Sequence, residues 1–185
     1  MMQPIKPYNP VNPADFLLAR LIDYLLNDVT LTYLQTGRFN WAYLINSYNS
    51  QTINTLDFIG INYYTITLLR NFGEAKRTDE LCADVDEGTK GKAIYAEGFY
   101  ESLKRTQLLI PNTPIIVTEN GCATMDPHIR DLYLKRHLYA MHKALEEGVD
   151  IRGYLVWTLT DCYGWNSGNN STYGMYRINT GVTHK

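Results

Sequence analysis

Apolar runs of strand length alternate along this chain with longer segments whose apolar residues recur at helical spacing, and Asn, Gly, Pro and Thr mark the boundaries. Such alternation commits a chain to parallel strands, because only a helix-length crossover can bring the next strand back in the same direction. The expected class is therefore α/β. Strands are predicted at Leu56–Tyr64, Pro114–Glu119 and Ile151–Leu159, with a shorter one at Met175–Ile178. Met2–Tyr8 reads as a weaker strand because Pro4 and Pro7 each remove a ladder donor. Helices are predicted over Asp15–Asn27, Lys92–Gln107 and Ile129–Gly148, the last with Gly148 at the position after the C-cap. Glu146 and Glu147 sit poorly against the negative end of that helix.

A chain of 185 residues with 45% hydrophobic content can bury a substantial core. Its net charge is −2 and the charges are scattered, so the field that tracks phosphates or anionic membranes is missing, and neither nucleic acid nor a membrane is expected as a partner. The first ten residues lack the charged flank and apolar core of a signal peptide, and three cysteines are too few for a disulfide framework. A cytoplasmic setting is expected, although Asn169 and Asn170 each begin an Asn-x-Ser/Thr triplet. His137 and His142 are five residues apart and fall on different helix faces, while His128 sits in a loop. No metal and no cofactor are implied.

In parallel α/β sheets ligands gather at the carboxyl ends of the strands. Those ends here carry Tyr64, Glu119, Trp157 and Asp161, with Trp165 in the Gly- and Asn-rich loop that follows. Aromatic faces stack on the apolar side of a pyranose and carboxylates bond its hydroxyls, so the set reads as a sugar site. Asp161 also has a structural reading, as an acceptor for backbone N–H groups of its own loop, and Cys122 reads as a small buried residue. The stretch from Asn71 to Gly91, about 20 residues rich in Gly and charge, has the length of an active-site loop or lid.

The run Val117-Thr118-Glu119-Asn120-Gly121 resembles the Ile/Val-Thr-Glu-Asn-Gly signature of family 1 glycoside hydrolases, the β-glucosidase-like retaining enzymes. Asp57–Thr65 is similar to that family's sixth barrel strand and Gly148–Asp161 to its eighth, in the right order. The resemblance implies a partial (β/α)8 barrel, with residues 1–185 forming the carboxyl-terminal half, roughly strands five to eight. A complete barrel of this kind needs about 250 residues. It implies Glu119 as nucleophile, Tyr64 as its hydrogen-bond partner, and Asn62, Trp157 and Trp165 as substrate-binding residues. The family's Thr-x-Asn-Glu-Pro motif, whose glutamate is the general acid/base, is absent, and Gly164 stands where glucosidases carry a sugar-binding glutamate. Phospho-glycosidases of the family also lack that glutamate but place a Lys nearby, and Asn170–Gly174 offers none. The expected substrate is a β-glycoside or oligosaccharide.

Three readings stay open at this point. The chain is half of a β-glycosidase that works when an amino-terminal half-barrel docks, or an inactive gene remnant, or a non-catalytic sugar-binding module. Without the general acid/base the lone chain is expected to be inactive as a hydrolase, and because a half barrel leaves open strand edges and a bare apolar face it is expected to aggregate or self-associate.

Overall fold

The computed structural model describes residues 2–71, 73–75, 82–83, 92–164, 168 and 172–177. The chain opens with β1 (Ile5–Pro7) and then α1 (Pro13–Asp23), where Pro13 occupies the first turn and the Asn12 side chain accepts from Ala14 N. The helix does not stop at Asn27 as expected. It passes through one π turn, Tyr24–Asp28, into α2 (Val29–Thr36), which Gly37 ends at φ 70°. Residues five apart share a face only in a π turn, so Asp23 and Asp28 both reach Arg105, at 2.5 and 2.6 Å.

A hairpin follows that the sequence did not announce, β2 (Arg38–Trp41) and β3 (Ile45–Tyr48). Its turn holds Ala42 and Tyr43 at φ 49° and 61°, so it lacks the Asn-Gly pair by which such turns are usually read. Next come β4 (Ile59–Tyr63) and β5 (Thr67–Arg70), the latter lying parallel to β1 and explaining why that short, proline-flanked strand forms. Short pairs β6 (Gly73–Ala75), β7 (Cys82–Ala83) and β8 (Lys92–Ala93) fall within or just beyond the predicted loop, the rest of which lies outside the described residues. Then α3 (Ala96–Leu109) begins four residues later than predicted, since Lys92 and Ala93 are paired as strand.

The remaining elements are β9 (Ile115–Asn120), α4 (Pro127–Glu146) and β10 (Ile151–Val156). The Asp126 side chain caps α4 by accepting from His128 N, which places His128 in the first helical turn rather than in a loop. At the other end Gly148 takes φ 87° and its N–H reaches Leu145 O at 3.0 Å. The acidic end is accommodated by α3, because Glu147 accepts from Tyr100 Oη at 2.5 Å and Lys104 Nζ at 2.9 Å.

Three strands form a parallel sheet in the order β10–β9–β4, and Met2 N donates to Asn62 O at 3.0 Å along the outer side of β4. Alternation along β4 and β9 sends Ile61, Tyr63, Ile115 and Val117 into a core with Phe99 and Leu103 of α3 and Ala140 and Ala144 of α4. On the opposite face Thr118 and Ile116 of β9 lie over Gly60 and Gly153 of its neighbours, where an added Cβ would come within 3.2 and 3.1 Å of them. Among the described residues the helices α3 and α4 pack on one face. Beyond it, Phe58 at 49%, Leu155 at 56% and Leu159 at 67% remain exposed. The fold is α/β, as expected, and the sheet does not close on itself among the described residues.

Candidate active site

Strict alternation would bury Glu119 beside Val117 among the helices. It escapes because the β9 register shifts: Ile61 pairs with Val117, but the next residue, Asn62, pairs with Glu119. The extra residue, Thr118, is a β-bulge, and it turns Glu119 to the open face beside Asn62 while Asn120 takes the core-facing position opposite Tyr63. Thr118 Oγ1 donates to Asn62 Oδ1 at 2.6 Å, tying the bulge to the neighbouring strand.

The buried Asn120 then joins four elements. Its Nδ2 donates to Tyr63 O at 2.8 Å and to Tyr133 Oη at 3.0 Å, and its Oδ1 accepts from Tyr154 Oη at 2.6 Å. Tyr133 Oη in turn donates to Tyr64 O at 2.8 Å. β4, β9, β10 and α4 are thus fastened together one residue from Glu119, and a fully satisfied buried network of this kind fixes a unique geometry.

On the open face the Tyr64 hydroxyl donates to Glu119 Oε2. Burial, then the bond to the Glu119 carboxylate, push the Tyr64 phenol well above the usual range, so it remains a donor at any working pH. Tyr173 meets the Tyr64 ring edge-on, centroids 5.8 Å apart at 71°. The chain also crosses itself closely here: a Cβ on Gly121 would stand 1.8 Å from Trp157 O, and Trp157 N donates to Asn120 O at 2.9 Å. Trp157 is half-buried and follows the end of β10, which stops at Val156 rather than running to Leu159. Any side chain at position 121 would push these two strand exits apart.

Of the residues singled out from sequence, Tyr64, Glu119 and Asn62 therefore lie on one face at one end of the sheet, and Trp157 borders them through Gly121. Asp161 does what its structural reading expects, its Oδ1 accepting from Gly174 N at 2.8 Å. Trp165, Asn169, Asn170 and Ile178 lie outside the described residues, and of the predicted Met175–Ile178 strand only a bridge from Tyr176 to Thr160 is seen. Gly164 pairs with Gly168 through two backbone bonds of 2.8 Å. Burial pushes the Cys122 thiol up to about 11, which leaves it protonated and unreactive at neutral pH. Asn120, Tyr133 and Tyr173 were missed as site residues; the Asn stood inside the quoted signature, whereas no local pattern marked either tyrosine.

A half-buried carboxylate accepting from a neutral phenol, at the carboxyl end of parallel strands, stands where ligand sites of α/β folds gather. The family model described as "Glycosyl hydrolase family 1" matches residues 28–185. A β-galactosidase of Sulfolobus acidocaldarius is 36% identical over 68% of this chain and 28% of its own length. A 6-phospho-β-galactosidase of Staphylococcus haemolyticus is 26% identical over 93% of this chain and 47% of its own. Among solved structures, a β-glycosidase from Pyrococcus horikoshii superposes with a TM-score of 0.81 at 27% identity, over 97% of this chain and 42% of that one. The chain belongs to glycosyl hydrolase family 1, and it spans less than half the length of each of these relatives. Among the described residues no helix is long and apolar enough to cross a membrane.

Proposed function

We propose that this chain supplies the nucleophile half of a retaining β-glycosidase. The observation that carries the reading is the Tyr64 hydroxyl donating to Glu119 Oε2 on the open sheet face of a family 1 chain. Glu119 attacks the anomeric carbon, the glycosidic C–O bond breaks with its electron pair leaving on the aglycone oxygen, and a covalent glycosyl-enzyme forms. Water, giving its proton to the second carboxylate that retention requires, then attacks the same carbon, and Glu119 leaves as the carboxylate. Tyr64 holds the carboxylate in line in the first step and stabilises it as a leaving group in the second. Asn62, Trp157 and Trp165 are the sugar contacts, the tryptophans through stacking.

Retention needs a second carboxyl group about 5–5.5 Å from the first to protonate the departing oxygen. The sequence lacks the Asn-Glu-Pro motif that carries it, so the acid/base comes from an amino-terminal half-barrel. That half docks on the uncovered face of the β10–β9–β4 sheet, making this chain strands five to eight of a (β/α)8 barrel. The length of the relatives beyond this chain supports that division. Alone, the chain carries out glycosylation only with leaving groups that need no proton. Whether the sugar is plain or 6-phosphorylated turns on the loop around Gly164.

The test is a pre-steady-state mixing experiment with dinitrophenyl β-glucoside and β-galactoside, beside their methyl counterparts. A burst of one dinitrophenolate per chain with either activated glycoside, and no release of methanol, is expected. No burst with both sugars, from a chain that melts cooperatively, would contradict the reading.

A further inference from the structure

We propose that Arg130 is the positioning residue that sets the Tyr64–Glu119 geometry, through the loop that carries Tyr173. Arg130 stands in the first turns of α4, half-buried, where a cation opposes the positive end of the helix. It is held there by backbone oxygens from two loops. One terminal nitrogen donates to Tyr173 O at 2.6 Å and Cys122 O at 3.3 Å, the other to Thr124 O at 2.6 Å and Thr172 O at 3.0 Å. Thr124 N also donates to Thr172 O at 3.0 Å, and Thr158 N to Tyr173 O at 3.3 Å. The guanidinium therefore joins the segment leaving the nucleophile strand to the last described loop, and Thr158 N, by sharing Tyr173 O, adds the segment after Trp157 to the same junction.

What the junction delivers is the Tyr173 ring, set edge-on to the Tyr64 ring, while Tyr133 Oη bonds the Tyr64 carbonyl. Tyr64 is thus confined from both ends, its carbonyl by Tyr133 and its ring by Tyr173, and its hydroxyl has one direction in which to donate. A planar fork with five N–H groups can serve all four carbonyls in one fixed geometry, whereas the compact ammonium of lysine has three donors and no fork. Arg130 reaches no reacting atom and acts through Tyr173 and Tyr64. The inference rests on Glu119 being the nucleophile, but its first readout does not need catalysis.

That readout is the nuclear magnetic resonance signal of Tyr64 in the full chain labelled at tyrosine Cζ, assigned by its loss in Tyr64→Phe. Arg130→Lys is expected to keep the circular dichroism and cooperative melting of the wild type while moving the Tyr64 signal towards that of exposed tyrosines. Labelling of Glu119 by a dinitrophenyl 2-fluoro-glycoside should slow by about 10- to 100-fold. In Arg130→Ala, added methylguanidinium should restore both the signal and the rate. An unmoved Tyr64 signal in Arg130→Lys, with only a lower melting temperature, would overturn the inference and leave Arg130 a loop staple. Loss of folding in both variants would overturn it too. If the wild type itself takes no label, the reading of Glu119 fails, and the Tyr64 signal alone decides the role of Arg130.

Discussion

Tyr64 and Glu119 lie 55 residues apart in the sequence, at the ends of adjacent parallel strands, and the Tyr64 hydroxyl donates to Glu119 Oε2. Their meeting depends on the bulge at Thr118, since without that extra residue Glu119 would point into the helices. Removing the hydroxyl in Tyr64→Phe leaves the ring and its contact with Tyr173. A hydrogen bond to a charged group contributes about 1.5–3 kcal/mol, so trapping of Glu119 should slow by about 10- to 100-fold with little change in melting temperature. Stopped-flow release of dinitrophenolate measures it.

Asn120 should behave in the opposite way, as a residue whose loss is felt mainly in folding. Asn120→Ala strips partners from the Tyr133 and Tyr154 hydroxyls and from Tyr63 O, all beside the core. With about 1–3 kcal/mol for each buried group left unpaired, denaturant melts should shift to markedly lower midpoints. A midpoint within error of the wild type would show that water re-satisfies the site.

Acid should weaken the fold through His137. Its ring is fully buried, stacked on Tyr133 at 3.8 Å and 18°, with Phe99 and Tyr63 on its other sides. Nδ1 lies 2.8 Å from Tyr133 O, while Nε2 has no hydrogen-bond partner among the described residues. Burial lowers its pKa from 6.5 to about 4. In this window the unfolded chain binds a proton that the folded one refuses, so stability is complete above pH 6.5 and falls as pH drops towards 4. The loss amounts to about 3 kcal/mol over the window. Melting curves should show it, and His137→Leu should flatten that stretch of the profile.

The bare sheet face predicts self-association of the isolated chain. Leu155 and Leu159 are exposed, and among the described residues β10 is an edge strand of the parallel sheet. Sedimentation should show concentration-dependent dimers or larger species, and Leu155→Lys with Leu159→Lys should shift them towards monomer. A monodisperse wild-type monomer would favour an independent module.

Where local signals suffice, the sequence is a good guide to this molecule. The three strands of the parallel sheet and α4 follow from apolar runs and from Gly148, which act within a few residues of themselves, whereas the Asp126 cap that starts α4 two residues before Ile129 was not read. The hairpin at 38–48 and β5 were not legible, because their partners rather than their own composition make them strands. Tyr64 and Glu119 were readable from a resemblance, but the bulge that brings them to one face was not. Nothing in Val117-Thr118-Glu119 announces a register shift that two neighbouring strands impose. Arg130 and Tyr173 were likewise invisible, since backbone carbonyls from distant loops leave no mark in side-chain patterns.

The most direct test of the account is the intact mass of the chain after incubation with dinitrophenyl 2-fluoro-glucoside, beside Glu119→Gln. The reagent departs without a general acid, so it questions the nucleophile separately from any second half. A single glycosyl adduct on the wild type and none on Glu119→Gln is the predicted result. An adduct that persists in Glu119→Gln would contradict the assignment, because some other group would then be attacking the sugar.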